Sequence, residues 1–149
     1  MCTLVVALES HREMFHALLP RLPQMGVIIE TDDEHLALKY VRRMRVDLAL
    51  FGIPLPHSRG LAVVRQALRM QPGIRVVIIT AIDDPLFLLE ALRIGVNGYL
   101  SAADSVDHLA DALQHIIAGE TLFDATLSTS ALLRLTAPGV SQDAPVTPS

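Results

Sequence analysis

The sequence carries one cysteine, no tryptophan and only 4% aromatic residues, and each scarcity narrows what the chain can be. A lone Cys2 permits no internal disulfide and cannot by itself form a zinc site, which sets aside the disulfide-stapled secreted scaffold and the zinc module. Long apolar runs are also absent. Hydrophobic residues make up 51% of the chain, but they fall in short blocks well below the ~18 residues of a membrane span. Met1 to Glu9 lacks a basic start and a small-residue cleavage site, so no signal peptide is read and a cytoplasmic protein without membrane association is expected. With a net charge of −4 and no long basic run, direct nucleic-acid binding by this chain is not expected. What remains is 149 residues, 19% of them charged, enough for one domain with a substantial core and a tail.

The organising stretch is Val46 to Gly60. Val46-Asp47-Leu48-Ala49-Leu50-Phe51 is apolar apart from Asp47 and runs straight into Gly52, two prolines and a polar turn. That pattern is a buried parallel strand leading to a loop, and in an open α/β sheet chemistry gathers at the carboxyl ends of the strands. Four other strands are read at Thr3–Leu8, Gly26–Glu30, Arg75–Thr80 and Gly98–Leu100. Helices alternate with them. The first runs from Glu9-Ser10 to about Leu19, the second from a Thr31-Asp32-Asp33 cap to Met44, and the third from Gly60 to Met70. The fourth starts at Asp83-Asp84-Pro85 and ends at Gly95; the fifth is capped by Asp104 or Ser105 and reaches Ala118-Gly119. Strands alternating with helices of 10 to 15 residues predict a doubly wound five-stranded parallel sheet of order 2-1-3-4-5. Residues 1–121 form that domain; 122–136 read as one extra helix, and Ala137 to Ser149, rich in Pro, Ser, Thr and Ala, as a flexible linker.

Taken together these segments resemble a bacterial response-regulator receiver domain, CheY-like in fold, and most of all those of the NarL/FixJ (LuxR-type) transcription regulators. Val46 to Phe51 resembles the family's approach to its phosphorylation site, and Leu55-Pro56 with Gly60 resembles the exit. Thr80-Ala81 falls on the switch threonine or serine, and Tyr99 falls on the switch aromatic within Glu90-Ala91-Leu92-Arg93-Ile94-Gly95-Val96-Asn97-Gly98-Tyr99-Leu100. The resemblance covers about Thr3 to Phe123.

Phosphoryl transfer in that family needs an aspartate nucleophile, an acidic pair holding magnesium and a lysine that pairs with the phosphoryl group. The resemblance puts Gly52 at the nucleophile and Ala102 at the lysine; the acidic pair falls on Ala7 and Leu8, or on Val6 and Ala7 if the first helix is aligned without a gap. Only Thr80 and Tyr99 remain of the working set. Asp47 cannot substitute, since five residues of extended strand put it about 16 Å away, toward the opposite end of the sheet. Glu9, Asp83 and Asp84 read as helix caps rather than as a rebuilt metal site, and His57 or Ser58 as a nucleophile lacks a nameable base. No metal or cofactor is expected.

The resemblance therefore implies a phosphorylation-independent, aspartate-less receiver domain that signals and dimerises within a transcription regulator and is not an enzyme. The alternative is a sensor that binds a small molecule in the space left between Ala7, Gly52, Thr80 and Ala102. Leu86 and Leu89 share the polar face of the fourth helix with Glu90 and Arg93, which marks these four as a candidate interface, with a homodimer as the expected partner. Val146-Thr147-Pro148-Ser149 resembles the passage into a DNA-binding helix-turn-helix, so an attached or partner DNA-binding domain is expected as well.

Overall fold

In the computed structural model residues 1–23, 25–55 and 60–123 are described. The strands are β1 (Cys2–Val6), β2 (Val27–Thr31), β3 (Leu48–Ile53), β4 (Arg75–Thr80), β5 (Gly98–Ser101) and β6 (Leu122–Phe123). The helices are α1 (Glu9–Leu18), α2 (Glu34–Arg43), α3 (Leu61–Met70), α4 (Pro85–Ile94) and α5 (Val106–Ile117). All pairings are parallel, in the order β2-β1-β3-β4-β5-β6.

The expected order 2-1-3-4-5 is present, but the sheet has six strands and not five. Leu122 and Phe123 were read as the opening of an extra helix; instead they pair with Gly98 and Tyr99, and the Leu122 amide donates to the Asn97 carbonyl at 3.0 Å. Two residues are too short to show the period-2 alternation by which a strand is recognised. Residues 124–136 of that expected helix and the linker 137–149 lie outside the described residues.

Strand alternation splits the core into two layers. Leu4, Val6, Ala49, Phe51, Val76 and Ile78 face α2, α3 and α4, while Val5, Ala7, Leu48, Leu50, Val77 and Ile79 face α1 and α5. Gly52 continues the second series, so it points toward α1. The helices begin as their sequences suggest. Asp33 accepts hydrogen bonds from the amides of His35 and Leu36, Asp84 from that of Leu86, and Ser105 from that of His108. Gly95 ends α4 at φ +97°, a left-handed position that a side chain would strain.

Three residues depart from their expected faces. Helical spacing sets Leu36, Ala37, Tyr40, Val41 and Met44 on one face of the second helix and Phe87, Leu88, Ala91 and Leu92 on the inner face of the fourth, yet Leu36, Met44 just past the end of α2, and Leu92 are 37%, 38% and 37% exposed. The fully buried stripes are narrower than a 100° wheel suggests: Ala37 and Val41 on α2, and Phe87, Leu88 and Ala91 on α4, with Leu38, Tyr40 and Ile94 packing partly buried at their margins. A residue outside the sequence reading holds the lower end of α2. The Gln71 amide donates to the carbonyls of Val41 and Met44 and its oxygen accepts from the Val46 amide, satisfying helix-end groups that would otherwise lack partners.

Candidate functional site

The carboxyl ends of β1, β3 and β4 meet at Ala7, Gly52 and Thr80. The register pairs Val6 with Phe51 and Gly52 with Ile79, which brings Ala7 alongside Gly52. Ala7 is fully buried on the α1 side, whereas Val6 belongs to the opposite layer and Leu8 is half-buried at the start of α1. Ala7, just past the end of β1, is thus the residue that faces Gly52, and both alignments of the acidic pair contain it.

The space beside Gly52 is occupied. A methyl group placed on its α-carbon would lie 3.0 Å from Ala7 Cβ and 3.1 Å from Cε2 of Phe15, closer than side chains normally pack. Phe15 is itself fully buried on α1, so its ring gives way only by displacing packed neighbours. Phe15, Leu18 and Leu19 recur at helical spacing in the sequence, in keeping with the buried position of Phe15. Its contact with Gly52 had no signal, because 37 positions separate the two and neither carries chemistry.

Thr80 is fully buried and its hydroxyl is committed twice, donating to the Ile53 carbonyl at 2.9 Å and accepting from the Ile82 amide at 3.1 Å. The side chain therefore ties the end of β3 to the loop after β4. Tyr99 is 1% exposed; its hydroxyl lies 3.4 Å from the Ile82 carbonyl and its ring meets Phe87 edge-to-face at 6.2 Å. Thr80 and Tyr99 thus converge on Ile82. Ala102 stands apart: its methyl is exposed, and only its amide joins the group by donating to the Thr80 carbonyl at 2.9 Å.

Two charged groups near this rim have partners. Arg12 of α1 reaches the Ala7 carbonyl at 3.4 Å and Asp32 at 3.9 Å, and Asp84 caps α4. Asp47 lies at the opposite end of the sheet, where its carboxylate accepts from the Cys2 amide at 2.8 Å beside Arg45. Among the described residues no three His, Cys, Asp or Glu side chains are grouped so as to hold a metal ion. His57 and Ser58 lie outside the described residues. His115 has a raised pKa, because Glu120 accepts its hydrogen bond and adds negative charge; it is exposed and far along α5. No described helix is long and apolar enough to cross a membrane.

The candidate interface residues fall together. Leu86, Leu89, Glu90 and Arg93 line the side of α4 that faces α3, and Leu86 is 68% exposed.

The model of the response regulator receiver domain matches residues 6–114. Among curated proteins the chain is 25% identical over 124 residues to the Fimbriae Z protein of Escherichia coli strain K12, covering 81% of this chain and 59% of that one. It is 24% identical over 133 residues to the response regulator GacA of Pseudomonas aeruginosa, covering 87% and 62%. The chain thus spans about three fifths of the length of these relatives. Among solved structures, a LuxR-family two-component response regulator from Aurantimonas sp. SI85-9A1 superposes with a TM-score of 0.79 at 23% identity, covering 89% of this chain and 95% of that one. The isolated receiver domain of RcsB from Salmonella enterica serovar Typhimurium, studied with a phosphomimetic, superposes at 0.76 with 14% identity, covering 85% and 96%. The family match over most of the chain agrees with the sheet order, and this chain belongs to the response regulator receiver domain family.

Proposed function

We propose that this receiver domain works without phosphorylation, as the signalling and dimerisation part of a LuxR-type transcription regulator, and acts through contacts instead of a covalent switch. The observation that carries the reading is the packing at Gly52. Where the family resemblance requires a carboxylate to accept the phosphoryl group, this chain offers no side chain, and Ala7 and the Phe15 ring close the space behind it. The supporting groups are missing too. Ala7 and Leu8 supply no oxygen ligand for a hard divalent cation, and Ala102 supplies no cation to balance phosphoryl charge. Receiver domains are ordinarily signalling rather than catalytic modules, and no catalytic role is proposed for this one.

A homodimer and an attached helix-turn-helix domain complete the proposal. The greater length of the relatives and the resemblance at Val146 to Ser149 support the second part. The test is incubation of the chain with acetyl phosphate and magnesium, followed by intact-mass measurement and sedimentation. An unchanged mass and an unchanged oligomeric state are expected; a phosphoryl adduct would overturn the reading. Ligand sensing in the same space would require Phe15 to leave its fully buried position. A metabolite at 100 times its dissociation constant would then add ~2.7 kcal/mol of stability, which a thermal-shift screen detects.

A further inference from the structure

Between α3 and α4 the surface opens into a groove of about 680 Å3, floored by Leu68, Leu86, Leu89 and Ile94. A smaller hollow of about 290 Å3 continues it past Leu86 and Glu90 toward Gly60 and Asp84. Together they follow the ten residues of α4, roughly 15 Å of helix. Midway, Arg65 and Glu90 bridge the two helices at 3.0 Å and cancel each other's charge. Below that bridge Arg69 and Arg93 line the groove, and neither has an ion-pair partner among the described residues.

A cation in the last turn of a helix is favoured by the helix dipole, and that accounts for where Arg69 and Arg93 lie along their helices. It does not account for the face. Both arginines turn into one groove, over an aliphatic floor, in a chain whose net charge is −4. A single exposed leucine needs no explanation, but a leucine that is 68% exposed beside Leu68, Leu89 and Ile94 and beside two guanidiniums without an ion-pair partner among the described residues forms a surface of defined chemistry.

We propose that this groove docks an acidic amphipathic helix of another protein, with aliphatic side chains seated on Leu68, Leu86 and Leu89 and carboxylates on Arg69 and Arg93. Helix-in-groove recognition places its anchors at i, i+3 or i+4 and i+7, a span of about 10 Å that fits the length of this groove. A second copy of this chain, the partner first expected at Leu86, Leu89, Glu90 and Arg93, fits this groove poorly, so the homodimer proposed above would use another face. The chain's acidic helices, α1 with Glu9 and Glu13 and α5 with Asp107 and Asp111, carry no large exposed apolar side chain to fill the floor. The inference rests on the reading that the domain acts by contact, and names the kind of contact.

The test is an NMR titration of the isotope-labelled chain, without phosphodonor, using two synthetic helical peptides. Both carry leucines at i, i+3, i+4 and i+7; one is flanked by glutamates and the other by lysines. The glutamate peptide should shift amides of α3 and α4 and bind at least tenfold more tightly than the lysine peptide. The double variant Arg69→Glu/Arg93→Glu should reverse that preference, and Leu86→Ser should weaken the glutamate peptide about tenfold. The three side chains are exposed, so these variants should fold, which the dispersion of the same spectra reports. Equal binding of both peptides, or shifts outside α3 and α4, would overturn the proposal. So would a wild-type dimer that the double variant dissolves, since a second copy would then be the occupant. Because phosphodonor is absent, phosphoryl uptake in the separate mass experiment would defeat the function proposed above without moving these titrations.

Discussion

Replacing Gly52 with alanine puts the packing at the strand ends to a test of sign. Gly52 has no left-handed backbone, so alanine can adopt its conformation, and the smaller freedom of the unfolded chain then favours the variant by about 0.4–1 kcal/mol. Against this, the new methyl would sit 3.0 Å from Ala7 Cβ and 3.1 Å from the Phe15 ring, and overpacking a filled core costs about 1–3 kcal/mol. Phe15 is fully buried and Ala7, also fully buried, directly follows β1, so neither yields cheaply. The packing penalty should win by about 1–2 kcal/mol, which at ~4 °C per kcal/mol lowers the melting temperature by roughly 4–8 °C. Thermal and urea unfolding of Gly52→Ala measure it directly. Combining it with Phe15→Leu, which frees room at the ring edge, should give a smaller loss than the two single losses added together, because the residues share one contact. A Gly52→Ala protein more stable than wild type would refute the claim that this space is closed.

Two further perturbations follow from hydrogen bonds. Thr80→Val keeps the shape but leaves the Ile53 carbonyl and the Ile82 amide without the hydroxyl, so urea unfolding should show a loss of about 1–3 kcal/mol, with Thr80→Ser retaining most of the stability. Folding raises the His115 pKa through Glu120, so that contact contributes fully below the ordinary value of 6.5 and its contribution is lost as pH rises through the higher folded midpoint. Glu120→Gln should therefore lower the His115 midpoint in an NMR titration, and an unchanged midpoint would show that the carboxylate is not its cause.

The fold was largely legible in the sequence because each boundary had a local physical signal. Arg75–Thr80 is β-branched at nearly every position and forms the strand read from it, and Asp84-Pro85 and Gly95 bracket α4 as cap chemistry requires. What escaped was non-local or too short. The pairing of Leu122–Phe123 beside β5 depends on the Asn97 carbonyl, a partner 25 positions away. At the site, Gly52, Thr80 and Tyr99 stood out by position, but what surrounds them did not. That Phe15 fills the space and that Thr80 is bound to both Ile53 and Ile82 are facts of three-dimensional packing. The interface residues were found by their helical face, whereas Arg69, their companion on α3, lies on a different element and gave no sign.

The sixth strand also changes which margin of the sheet stays open. Leu122 and Phe123 cap the start of β5, so among the described strands β2 is the full-length border with unpaired backbone groups, and it shows Val27 at 64% and Ile28 at 38% exposure. Such a border invites stacking with other chains, and the Glu30 carboxylate held by His16 at 2.8 Å is the single charge that guards it. Glu30→Gln would remove that carboxylate and should raise self-association at high concentration, which light scattering measures.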